Sequence, residues 1–143
     1  MNAVGRWLAL PAVLRITRTV IGLVFLIAAL AKLANVPWLA IEVHNYHLAP
    51  LWSENLVAIV LPWIELVAGL ALVLGVRARA GGVVAFALML MFTVAVAIAW
   101  ARGLDFNCGC FGKLGAGRIG AQKFAENLGL TALAALAMRR PAR

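Results

Sequence analysis

Charge is scarce in this chain, and negative charge scarcer still: Lys and Arg number 13, Asp and Glu only 5, among 143 residues. Soluble domains carry charge on about a quarter of their residues, against 13% here. With 65% of residues hydrophobic and a mean hydropathy of +1.00, a water-soluble fold is excluded. Cysteine is nearly absent as well. The two present, Cys108 and Cys110, stand one residue apart, so any thiol chemistry rests on a single pair.

What is present in abundance is long apolar sequence. At about 20 residues per crossing there is room for four or five membrane spans and no separate soluble domain. The net charge of +8 would suggest nucleic acid in a soluble protein. Here the basic residues cluster beside apolar runs, where they orient a membrane protein, and nucleic-acid binding is set aside.

Four segments read as transmembrane helices, roughly 13–34, 56–76, 81–100 and 119–138. The third, GGVVAFALMLMFTVAVAIAW, carries no charge; the fourth carries Lys123 and Glu126 near its start. The first has the basic start of a signal peptide, but Lys32 stands where a cleavage region needs small neutral residues, so retention is expected. The expected fold is an all-α membrane protein, a four-transmembrane-helix bundle forming one integral membrane domain over residues 1–143.

Arg6, Arg15, Arg18, Arg77, Arg79, Arg139, Arg140 and Arg143 fall on one side, and Lys32, Arg102, Lys113, Arg118 and Lys123 on the other. That bias assigns both termini to the cytoplasm. The loops at roughly 35–55 and 101–118 then face outward. In a bacterium with this protein in its inner membrane, DFNCGCFGKLG lies on the oxidising, periplasmic side, where thiols pair or exchange.

Stepping by three and four gives helix faces. In the first span Arg15, Arg18, Gly22, Phe25, Ala29 and Lys32 share a stripe; in the second, Asn55, Ala58, Pro62, Glu65, Gly69 and Leu72; in the fourth, Gly120, Lys123, Asn127, Leu130, Ala134 and Ala137. Small residues on such stripes are what membrane helices use to approach closely. Glu65, near mid-span, must face inward and needs a partner, which Arg18 or Lys32 could supply from either end of the first helix. Its role is either a bond fixing helix register or the handling of a proton or ligand.

A Cys108–Cys110 disulfide requires a bent tripeptide, because bonded cysteines place their α-carbons about 4.4–6.8 Å apart and an extended chain overshoots. Gly109 allows that bend. A small ring of this kind suits the passing on of a disulfide better than the stapling of a fold. Lys113, Arg102 and Arg118 in the same loop would favour the thiolate, with Asp105 partly opposing them. Two inert buried thiols are the bland alternative. A rival is a zinc or copper(I) site in which Cys108 and Cys110 join His44 and His47 of IEVHNYHLAP. Against it, interfacial histidines beside Tyr46, Trp38 and Trp52 are a common aromatic belt.

RITRTVIGLVFLIAALAKL, YHLAP, LPWIELVAGLALVLG and CGCFG, in this order along most of the chain, resemble the MauE branch of the DoxX-like membrane proteins. The resemblance implies a four-helix bacterial inner-membrane protein associated with thiol redox and protein maturation. The family's namesake serves methylamine dehydrogenase, whose small subunit is rich in disulfides, alongside a thioredoxin-like partner. The matching positions are Arg15 or Arg18, Gly22, Phe25, Lys32, Tyr46, Pro50, Pro62, Glu65, Gly69, Cys108, Cys110, Phe111 and Gly112. Where the family pattern has a glycine before its lysine, this chain has Ala28-Ala29-Leu30-Ala31, a departure that touches packing.

The function expected is a thiol-disulfide relay, a candidate oxidoreductase in which Cys108 and Cys110 cycle between dithiol and disulfide and exchange with a periplasmic thioredoxin-like protein. Lys113 favours the thiolate, Phe111 and Gly112 shape the turn into the fourth helix, and Glu65 with Lys32 organises the bundle or accepts protons. A quinone between the helices is the candidate electron acceptor if the direction is oxidative. Metal delivery by Cys108, Cys110, His44 and His47 and a non-catalytic assembly factor are the alternatives. A small-solute transporter finds little support, because no pair of spans is broken in corresponding halves.

Overall fold

The structure, a computed structural model, describes residues 3–8, 10–111 and 117–140. Among these it is all helical apart from one isolated bridge, Asn107 to Arg118. The helices are α1 (Ala3–Leu8), α2 (Pro11–Leu33), α3 (Val36–Asn45), α4 (Leu51–Leu74), α5 (Ala78–Ala101) and α6 (Ala121–Ala137). Lys113 and Gly112 of the cysteine loop, and Arg143, lie outside the described residues.

Local chemistry sets the helix ends. Pro11 opens α2 in the first turn, where its missing N–H costs nothing. Asn35 caps α3, its side chain accepting the Trp38 N–H at 3.2 Å. Gly75, with φ +74°, stops α4 in the left-handed conformation that an L side chain resists. α4 starts five residues earlier than the polar run SEN suggests. Ser53 and Glu54 therefore form its first turn and do not belong to the preceding loop.

α2, α4 and α5, with 23, 24 and 24 residues, are long and apolar enough to cross a membrane. The chain is a multi-pass membrane protein. α6 has 17 residues, about 26 Å of helix against a hydrocarbon core of about 30 Å. α2 packs chiefly on α4 and α5 chiefly on α6, while α4–α5 and α6–α2 contacts close the ring. Bulky side chains such as Ile27, Leu30, Trp63, Val67, Leu90 and Val94 cover the outside, as a bilayer solvent requires.

The α2–α4 seam depends on two glycines. A methyl group at Gly22 would lie 2.9 Å from the Gly69 carbonyl oxygen, and one at Gly69 would lie 2.9 Å from that of Gly22. Such close backbone approach is the usual device of helices with no hydrophobic effect between them. The first stripe is corrected at its start: Gly22, Phe25, Ala29 and Lys32 are buried, Arg15 is exposed and Thr17 faces inward in its place. Arg18 turns to the end of α6, where its Nε donates to the Ala137 carbonyl at 3.0 Å and its guanidinium to that of Arg139 at 2.9 Å. A helix C-terminus, with its unpaired carbonyls, is the better partner for a cation in the last turn's reach. On the second stripe Asn55 is exposed and Glu54 buried.

A disulfide on the wall of an apolar cavity

Cys108 and Cys110 are bonded to each other, their α-carbons 5.3 Å apart. Gly109 makes the bend at φ +68°. A methyl group there would also lie 3.0 Å from Cβ of Glu42, so α3 packs directly on the turn. The loop base is pinned by the Cys108 N–H to the Gly117 carbonyl and the Ile119 N–H to the Phe106 carbonyl, both 3.0 Å.

Two side chains address the pair from different helices. The Tyr46 hydroxyl, following α3, donates to the Cys108 carbonyl at 2.6 Å and lies 4.0 Å from the Cys110 sulfur. Its ring meets Phe106 edge-on at 4.8 Å. Asn127 of α6 donates through Nδ2 to the Cys110 sulfur at 3.6 Å. The sulfurs are nearly closed off, the residues being 2% and 4% exposed.

Beside them opens a cavity of about 270 Å³ between α3, α4, α5 and the cysteine turn. Leu39, Val57, Leu61, Phe92 and Ala95 make it apolar; Glu42 and Tyr46 are the polar groups on its wall. Glu42 is buried, and its Oε2 has no hydrogen-bond partner among the described residues. Burial pushes its carboxyl above the ordinary range, with a hydrogen bond from Asn45 pulling the other way. Burial, reinforced by the charge of Glu42, likewise pushes the Tyr46 phenol up.

Lys32 is the partner of Glu65, Nζ to Oε1 at 2.5 Å, with both residues 0–1% exposed. The ammonium also lies 4.8 Å from the centre of the Phe92 ring, whose side chain lines the cavity. Lys32 is thus a bundle residue and not a surface charge of the outer loops. Phe111 is partly buried against the core, with the Lys123 ammonium 5.8 Å from its ring.

Other expected participants sit elsewhere. Arg118 binds Asp105 at 2.7 Å on the surface, and Arg102 donates to the Tyr46 carbonyl at 3.4 Å. Nearer acceptors hold both, so neither is seen at the sulfurs. The suggested metal set does not assemble: His44 binds Glu54 at 2.9 Å, His47 stacks edge-on to His44 at 5.2 Å, and the sulfurs hold each other. Among the described residues no three His, Cys, Asp or Glu side chains converge as metal ligands. Sequence reading missed Glu42, although it stands four residues before the chain's one tyrosine and so on the same helix face. Asn127 was placed on the right stripe without a task.

The sequence model of the family described as methylamine utilisation protein MauE matches residues 10–140. The chain belongs to the MauE family. It is 38% identical to the methylamine utilization protein MauE of Paracoccus denitrificans over 102 residues, 71% of this chain and 55% of that protein. The namesake from Methylorubrum extorquens is 38% identical over 105 residues, 73% of this chain and 56% of that protein. The chain thus matches about half the length of these MauE relatives. No solved structure matches it significantly.

Proposed function

We propose that this MauE-family chain is a thiol-disulfide relay of the bacterial inner membrane, a single integral membrane unit whose fourth crossing is α6. Both termini face the cytoplasm and the cysteine turn faces the periplasm, the orientation that the arginine bias supports. The contact of Arg18 with the end of α6, which keeps these basic residues at one end of the bundle, agrees with it. The relatives are named for methylamine utilisation; for this chain, maturation of a disulfide-bearing enzyme is proposed here.

The observation that carries the reading is the bonded Cys108–Cys110 pair with the Asn127 amide donating to one of its sulfurs. A partner thiolate attacks the Cys108 sulfur; the Cys108–Cys110 bond breaks and Cys110 leaves as the thiolate. Asn127 Nδ2 is placed to stabilise that charge. The partner's second thiol then resolves the mixed disulfide, so the thioredoxin-like partner departs oxidised and the pair is left as a dithiol.

Mass-tagging of thiols in intact membranes, with each single Cys→Ser variant on non-reducing gels, tests this. C110S, which keeps the Cys108 thiol, is expected to hold the partner as a mixed disulfide, and C108S to hold far less. A pair that never changes redox state, or mixed disulfides only through Cys110, would overturn it.

A further inference from the structure

A relay needs a co-reactant to reset it, and the surroundings of the disulfide say what can reach the sulfurs. Cys108 and Cys110 are 2% and 4% exposed, while their turn forms part of the wall of the 270 Å³ cavity. A second apolar groove runs along the outer face of α5 past Leu90 and Val94, and shares Leu48, Met91 and Ala95 with the cavity. Leu90, Met91 and Val94 are exposed on a helix long and apolar enough to span a membrane. Among the described residues, one route to the disulfide therefore runs along the lipid-facing side of α5. Glu42 stands on the cavity wall, and its buried Oε2 has no hydrogen-bond partner among the described residues, an uncommon feature that calls for one.

We infer that the cavity is a binding site for a membrane-dissolved quinone, its ring held between Glu42, Tyr46 and the cysteine turn and its isoprenoid tail lying in the α5 groove. This deepens the relay reading and rests on it. The Cys108 and Cys110 thiols lose two electrons and two protons as the S–S bond forms; the quinone takes both, and its two carbonyl oxygens become hydroxyls. Quinone is an acceptor that keeps a bacterial periplasm oxidising, and with quinone bound here the direction is oxidative. Glu42 is a positioning residue whose protonated carboxyl donates a hydrogen bond to a quinone oxygen.

The test uses the full chain in lipid nanodiscs, reduced, freed of reductant and kept anaerobic. A ubiquinone with one isoprene unit is added, quinol is read by absorbance, and thiols are counted by mass-tagging. One quinol per two thiols is expected, with saturation. Ala95→Phe and Val57→Phe should raise KM or cut the rate at least tenfold, and Glu42→Leu, which removes the donor, should raise KM, with Glu42→Gln, which keeps one, closer to the unaltered protein. Should the wall variants fail to accumulate, a photoreactive short-chain quinone on the unaltered protein should label α3 and α5. Unsaturable oxidation, unchanged rates in both wall variants, or labelling elsewhere would overturn the inference. If quinone is inert while a thioredoxin-like protein still exchanges with the pair, the quinone site falls and the relay stands. If neither reacts, both fall.

Discussion

Replacing Lys32 by methionine is the most informative perturbation of the bundle. The side chain loses its charge and only its terminal atom in length, leaving the Glu65 carboxylate at 1% exposure without the ammonium 2.5 Å away. Breaking a buried pair from one side costs about 3–5 kcal/mol, because the remaining charge is desolvated and unpaired. Loss of the cation above the Phe92 ring adds about 0.5–2 kcal/mol. Removing both charges is different: a well-packed apolar pair in place of a buried ion pair is often neutral or stabilising by about 1–4 kcal/mol. Lys32→Met alone should therefore unfold far more readily, and Lys32→Met with Glu65→Leu should recover most of the loss.

The assay is equilibrium unfolding in mixed micelles, followed by fluorescence of the five tryptophans. A single variant costing less than about 1 kcal/mol would mean that water or lipid headgroups reach Glu65, contrary to its burial. A double variant no better than the single would mean that the pair contributes net stability and does not merely cancel its own desolvation.

Three further outcomes follow from the cysteine turn. Tyr46→Phe deletes the 2.6 Å bond to the Cys108 carbonyl; it should cost about 1–3 kcal/mol and speed reduction of the disulfide by a small phosphine, read by mass-tagging. Gly109→Ala forces a side chain into φ +68° and against Cβ of Glu42 at 3.0 Å. The left-handed conformation alone costs about 1–2 kcal/mol, and the variant should show a smaller bonded fraction on non-reducing gels, whereas Gly120→Ala, with open space around it, should not. Glu42 has its folded carboxyl above the ordinary 4.5, so the folded state holds this proton more tightly than the unfolded one. Its contribution is present below pH 4.5 and is lost as pH rises through the folded value. The melting temperature of Glu42→Gln relative to the unaltered protein should therefore climb with pH from about 4.5 upward, and a flat difference would refute the assignment.

Much of the bundle was legible because lipid-facing helices need long apolar runs, and the runs ending near Leu33, Leu74 and Ala101 stay predominantly apolar over a full crossing. The start of α4 was not, since Ser53, Glu54 and Asn55 look like loop in composition, yet Glu54 is occupied by His44 in the first turn. Gly109 as the bend of a bonded Cys-Gly-Cys was readable from covalent reach alone. The cations expected around it were not, because spacing places Arg102 and Arg118 in the loop without saying that Tyr46 and Asp105 engage them first.

The choice between Arg18 and Lys32 shows where a stripe stops being enough. Both lie on one face of α2, and only the register against α4 separates them. The Gly22–Gly69 contact sets that register. Measured from it along the antiparallel pair, Lys32 is about 15 Å and Glu65 about 6 Å toward the same end, leaving about 9 Å between their levels; Arg18 lies about 6 Å toward the other end. Side chains lean toward the N-terminus of their helix, so Lys32 leans back toward the contact and Glu65 leans away from it, and the two meet. Arg18 leans away and finds the carbonyls of α6. The same logic explains why the cavity was invisible in the sequence: its wall needs α3 folded onto α4, the cysteine turn seated on Glu42, and α5 beside both, a coincidence of three registers that no single periodicity records.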